Sequence, residues 1–124
     1  MKQVIILFTL LMFGSYIQAQ EGNSKVNYNV RYIFDEKGDI YRSEANLQFA
    51  LGNLYVHRNN YTKNWKCDYK GIIKKDDNKA SFYYHHYYLP TKNIHMYISK
   101  IKEVKHEGIF YYRIIFDGQT QLAL

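Results

Sequence analysis

Residues 65 to 89 run Trp65-Lys66-Cys67-Asp68-Tyr69-Lys70-Gly71-Ile72-Ile73-Lys74-Lys75, then Asp76-Asp77-Asn78-Lys79, then Ala80-Ser81-Phe82-Tyr83-Tyr84-His85-His86-Tyr87-Tyr88-Leu89. Aromatic and β-branched residues recur with period two on both flanks of a short polar run, which is the signature of an antiparallel hairpin. A two-residue loop at Asp77-Asn78 would set Tyr69 against His86, Cys67 against Tyr88 and Ile73 against Phe82. Pro90-Thr91-Lys92 returns the chain, placing His86 against Met96 and Tyr84 against Ile98. One face then collects Trp65, Cys67, Tyr69, Ile73, Phe82, Tyr84, Tyr88, Ile94, Met96 and Ile98, the expected core.

The same period extends in both directions. Val26, Tyr28, Val30, Tyr32 and Phe34 alternate with more polar neighbours up to a turn at Asp35-Glu36-Lys37-Gly38-Asp39. Residues 40 to 46 tolerate helix through Ser43, Glu44 and Ala45, but the segment is too short to stand as a helix unaided. From Ala45 the series Ala45, Leu47, Phe49 and Leu51 leads to a tight turn at Gly52-Asn53, which pairs Leu51 with Leu54 and Phe49 with Val56. Asn59 to Asn64 reads as a polar loop, and within it Asn60-Tyr61-Thr62 matches an N-glycosylation acceptor for a eukaryotic host.

Downstream, a hairpin from about Ile98 to Phe116 turns around Lys105-His106-Glu107-Gly108, and Asp117-Gly118 turns into a last short strand ending at Leu124. Here both faces are apolar, with Phe110, Tyr112, Ile114 and Phe116 on one and Ile109, Tyr111 and Ile115 on the other. The second face needs cover, from a central position in a curled sheet, a partner chain or a ligand.

Seven or eight antiparallel strands with short turns make an all-β, up-and-down meander, which at this length curls into a small barrel or a strongly curved sheet. A two-layer sandwich is the alternative. No helix is expected beyond the N-terminal signal segment. The tyrosine-rich meander behind that segment is similar to lipocalin-like exported barrels in architecture, without a shared motif.

Residues 1 to 19 read as a cleavable signal peptide: Lys2 gives the positive start, Val4 to Phe13 the apolar stretch, and Ala19 the small residue before the cut. The apolar run stops well short of the ~20 residues that a spanning helix needs. The expectation is one domain over residues 20 to 124, secreted or periplasmic, with no stable membrane span after cleavage. Removing the signal takes away one lysine, leaving 16 basic against 11 acidic residues and a net charge of +5. The chain holds a single cysteine, so no disulfide can form within it, and Cys67 reads as a buried reduced thiol. A basic balance with 14 tyrosines has the ingredients of nucleic-acid binding. Export and the dispersal of the positive residues argue against that partner.

No nucleophile elbow, glycine-rich phosphate loop, HExxH or EF-hand loop is present, so the sequence offers no catalytic residues, no cofactor and no metal ligands. Adjacent histidines on a strand point to opposite faces, which keeps His85 and His86 from sharing an ion. In the register above, His86 lies in the core beside Tyr69 and Met96. Tyr83, His85, Tyr87, His95 and Tyr97 then share the opposite face, with Asp68, Tyr87 and His95 in one row. Such a surface suits a sugar, an aromatic small molecule or a protein. The functional expectation is an exported, non-enzymatic binding module using this aromatic face or a barrel mouth for a small molecule or glycan. The competing expectation is a structural or protein-interaction protein, an inhibitor, immunity factor or envelope component, docking through its sheet onto another protein or into a homodimer.

Overall fold

The computed structural model describes residues 27–76 and 80–124; the expected signal peptide, the first residues of the domain and the Asp77-Asn78 loop lie outside them. The described chain is all β. It forms β1 (Asn27–Phe34), β2 (Ile40–Ala50), β3 (Asn53–Arg58), β4 (Tyr61–Lys66), β5 (Asp68–Asp76), β6 (Ser81–Leu89), β7 (Ile94–Ser99), β8 (Val104–His106), β9 (Ile109–Phe116) and β10 (Gln119–Ala123). All pairings are antiparallel, in the order β4-β3-β2-β1-β10-β9-β7-β6-β5, with β8 attached to β9 alone. Sequence neighbours are thus sheet neighbours almost throughout, as the alternation implies. Two segments read as loop or ambiguous are strand instead: β2 already begins at Ile40, and Tyr61 to Asn64 joins Trp65 and Lys66 in β4 beyond a turn at Asn59-Asn60, so the strand expected from Trp65 to Lys74 is broken at Cys67.

The sheet does not close into a barrel, which corrects that form of the expectation. Its two edges are β4 and β5, and only Cys67 separates them in sequence. Antiparallel neighbours need a reversal of at least a tight turn. A one-residue join cannot supply it, so the chain runs on from one edge of the sheet to the other. The Cys67 amide donates to the Gly52 carbonyl at 2.9 Å, tying this crossing to the β2–β3 turn.

The sheet nevertheless bends over its own inner face. Phe49 of β2 stacks on Tyr87 of β6, with centroids 4.3 Å apart and planes 18° from parallel. Around that contact, Tyr112, Tyr28, Phe49, Tyr87 and Tyr69 form a chain of ring contacts, and Leu54, Leu89, Met96, Ile98 and Ile114 fill the remaining core. Burial raises the pKa of the Tyr28 and Tyr87 hydroxyls, with smaller contributions from neighbouring tyrosines. Cys67 is buried and free, and burial, then the charge of Asp68, pushes its thiol up to about 12.

Two β-bulges explain where strict alternation fails. One lies between Val30 and Tyr32, so Tyr28 and Val30 face the core while Tyr32 pairs with Leu122 on the opposite face. The other lies between Tyr69 and Gly71. A bulge inserts one residue and exchanges the faces beyond it.

The second face of β9 is covered from within the chain at Tyr111, while Ile109 at its start stays half exposed. Residues 100–106 fold back over that face, with Tyr111 buried against Tyr32 and His106 against the same ring at 4.7 Å. Beside them Glu103 Oε2 accepts hydrogen bonds from Arg113 Nε and from the Tyr84 hydroxyl, each at 2.9 Å. Ser99 Oγ accepts from the Arg113 amide at 2.8 Å and donates to the Ile101 carbonyl at 2.7 Å.

Candidate functional site

β6 is displaced by one residue against β7 from the expected pairing: Tyr87 meets Met96, His86 meets Tyr97 and Tyr88 meets His95. Met96 and Ile98 point into the core as expected, so the slip brings Tyr87 and His85 inward and turns His86 and Tyr88 outward. The two histidines exchange roles. His85 is the buried one, its Nδ1 3.1 Å from the Tyr69 hydroxyl, and burial, then Lys100, lowers its pKa.

The five residues expected on one surface are therefore divided. His85 and Tyr87 line the inner side. Tyr83 is exposed near the start of β6, where its carbonyl accepts from the Lys100 amide at 3.0 Å and it borders a 320 Å³ cleft with Phe82 and Ile101. His95 and Tyr97 stay together on the outer face, their rings 6.4 Å apart and within 13° of parallel.

The outer face gains two residues that the sequence reading placed in the core, His86 and Tyr88. His86 Nε2 and His95 Nδ1 are hydrogen bonded at 2.8 Å. The His86 ring stacks on Tyr97 at 4.8 Å and 19°, a spacing that matches the distance between adjacent strands. Tyr88 lies 4.7 Å from the His95 ring and donates its hydroxyl to Asn93 Oδ1 at 2.7 Å. Face-to-face contact across two strands uses up the ring faces between β6 and β7, while the other two ring nitrogens, His86 Nδ1 and His95 Nε2, remain as polar edges.

On the other flank the ladder is open. Gly71 of β5 pairs with His86, and a Cβ built on it would meet nothing within 4 Å. Its φ of +104° belongs to the region that glycine alone adopts freely. The absence of a side chain leaves a vacant strip beside His86, bounded by two lysines of the same strand. Lys75 Nζ lies 4.6 Å from the Tyr97 centroid and Lys70 Nζ 5.9 Å from that of Tyr88. The positive setting is visible in His86, whose pKa is lowered by burial first and then by His95, Lys70 and Lys75. Asp68 shares the row of Tyr88 and His95. The outer members of such a row stand roughly 9 to 10 Å apart, beyond joint coordination of one ion. Among the described residues, no three His, Cys, Asp or Glu side chains gather closely enough to hold a metal ion.

No protein-family model matches the chain, and no curated protein or solved structure gives a significant match. What can be assigned is the class that the strands define, an all-β domain of one continuous antiparallel sheet.

Proposed function

We propose that the chain is exported behind residues 1 to 19 and that its domain is a non-enzymatic binding module, holding a small ring-shaped molecule or a glycan on the outer face of β5, β6 and β7. The observation that carries this reading is the stacked His86–Tyr97 pair beside the empty strip over Gly71. A sugar or aromatic ring seated there would lie against His86 with polar edges and two ammonium groups around it, the combination of apolar surface and a few convergent polar groups that small-molecule sites use. The proposed site takes His95 and Tyr97 from the expected set and adds His86 and Tyr88.

The test is an NMR titration of the purified domain with a panel of mono- and oligosaccharides and single-ring aromatics, following the His86, His95 and Tyr97 ring signals. Saturable shifts, lost in His86→Ala and Tyr97→Ser, are expected. Unperturbed signals across the panel would remove the reading. Export is checked apart from this, by N-terminal sequencing of secreted material, which should begin near Gln20.

A second reading, docking onto another protein or a second copy, rests on Ile109 and Phe110, both half exposed at the start of β9. Light scattering on a size-exclusion column separates the two, since a stable dimer lost in Phe110→Ser favours association.

A further inference from the structure

We infer that the open end of the curved sheet, on its inner side, is a second binding site, for a small organic anion made of one ring or a short acyl chain. It is separate from the outer face and independent of the reading given above.

The site is a cavity of 150 Å³ in which strands far apart in the sheet meet. Trp65 comes from edge strand β4 and Phe116 from β9, while Leu47 of β2 and Val56 of β3 join it to the core. Such a volume accepts a single six-membered ring. The walls are the apolar and aromatic surfaces that stabilise such a ring by burial.

The charges give the ligand its sign. Arg58 and Lys63 line the same cavity, and no carboxylate does. The Arg58 Nη1 hydrogen bonds go to neutral oxygens, Ser43 Oγ and the Glu44 carbonyl, each at 3.4 Å. The Glu44 carboxylate is taken by Arg42 at 2.6 Å. Among the described residues, neither Arg58 nor Lys63 is in an ion pair. Both project from the inner side for a structural reason: Lys63 pairs with Val56 and stands two residues from Trp65, and Arg58 stands two residues from Val56. Lys63 Nζ lies 5.5 Å from the Tyr61 centroid, and an aromatic floor under two cations without a carboxylate partner is complementary to an amphipathic anion, with its apolar part inward and its carboxylate at the rim. A lysine turned inward on an edge strand also discourages edge-to-edge pairing. That role needs Lys63 alone and places no demand on Arg58 or on the cavity.

The chain contains one tryptophan, Trp65, which lines this cavity, so its fluorescence reports on it. Benzoate and hexanoate, titrated to about 20 mM because ligands this small bind weakly, should change Trp65 emission saturably. Benzyl alcohol and benzylamine should bind more weakly than benzoate. Arg58→Ala and Lys63→Ala should each weaken benzoate by about tenfold, the worth of a charge-assisted hydrogen bond, with far-UV circular dichroism unchanged. Lys63→Glu should abolish binding. Equal binding of benzoate and benzyl alcohol, tighter binding of benzylamine, indifference to the Arg58 and Lys63 variants, or a silent Trp65 would each overturn the inference. His86→Ala should leave benzoate binding intact, which separates this site from the outer one.

Discussion

Phe49 and Tyr87 stack at 4.3 Å although β1, β10, β9 and β7 stand between their strands in the sheet. The contact is what makes one sheet behave as its own second layer. With both rings under 5% exposed, it also concentrates core energy in few residues.

Phe49→Ala should therefore destabilise the domain by about 3 to 5 kcal/mol, the range for a large aromatic removed from a core. Phe49→Leu should cost less, since it keeps most of the volume. A double-mutant cycle with Tyr87→Leu should give a coupling of about 1 kcal/mol, as stacked aromatic pairs do beyond their buried area. Urea unfolding measures all three. Additive losses would mean that the two layers are held elsewhere.

The pair also shows what was legible in the sequence. Alternation marked Phe49, Met96, Ile98 and Cys67 as inward residues, and Asp117-Gly118 as a tight turn; the structure agrees on each. It could not resolve Phe82 to Leu89, where nearly every residue on both faces is aromatic or histidine and neither register is penalised. The return turn then decides the pairing: Leu89 pairs with Ile94, so the turn holds Pro90 to Asn93, one residue more than Pro90-Thr91-Lys92, and on the other side the extra residue at Lys70 has no sequence signal beyond the glycine at Gly71. Hence His86 and Tyr88, rather than His85 and Tyr87, face outward. The mouth cavity was hidden because Tyr61 and Lys63 sit in a stretch whose polar content reads as loop, although Trp65 was read as an inward strand residue.

Stability should fall at alkaline pH from buried acids. Cys67 is held up to about 12, from an ordinary thiol value of 9.0. The Tyr84 hydroxyl also reaches about 12, through burial first and then its hydrogen bond to Glu103. Each group is neutral when protonated and keeps its proton longer in the folded chain. The stabilisation is thus complete below the unfolded values and is lost as pH rises through the folded ones. The urea midpoint should begin to fall near pH 9, and in Cys67→Val near pH 10. A midpoint flat to pH 11 would contradict the assignment. The same burial predicts no reaction of Cys67 with a thiol reagent until the domain unfolds.

Arg113 and Glu103 are unequal partners: the guanidinium is 39% exposed and the carboxylate 6%. Removing the arginine leaves a buried carboxylate with Tyr84 as its remaining donor, so Arg113→Met should cost about 2 kcal/mol, reduced from the fully buried case by solvent at the arginine. Adding Glu103→Leu should restore part of it, because the uncompensated charge is gone while the buried Tyr84 hydroxyl loses its acceptor. Tyr84→Phe alone should cost about 1 kcal/mol. Thermal melts of the four proteins read the difference, and a double variant no better than Arg113→Met would show that the network does more than cover β9.

The turn between β2 and β3 lies one residue earlier than a glycine-first reading suggests. Ala50 pairs with Asn53 and Phe49 with Leu54, so Leu51 and Gly52 are the two turn residues, with φ of 50° and 78°. Because the loop moved by one place along both strands, Phe49 and Leu47 still meet apolar partners, which is why the faces agreed under either placement. The first turn position needs a left-handed backbone, which costs an L-residue with a bulky side chain roughly 1 kcal/mol or more and suits asparagine. Leu51 is 98% exposed, so its side chain offers no packing in return. Leu51→Asn should accordingly stabilise the domain by about 1 kcal/mol and raise its melting temperature by about 4 °C. Leu51→Val, β-branched and worse suited to positive φ, should lower it. Should Leu51→Asn prove neutral or destabilising, the turn would have to be placed at Gly52-Asn53 after all.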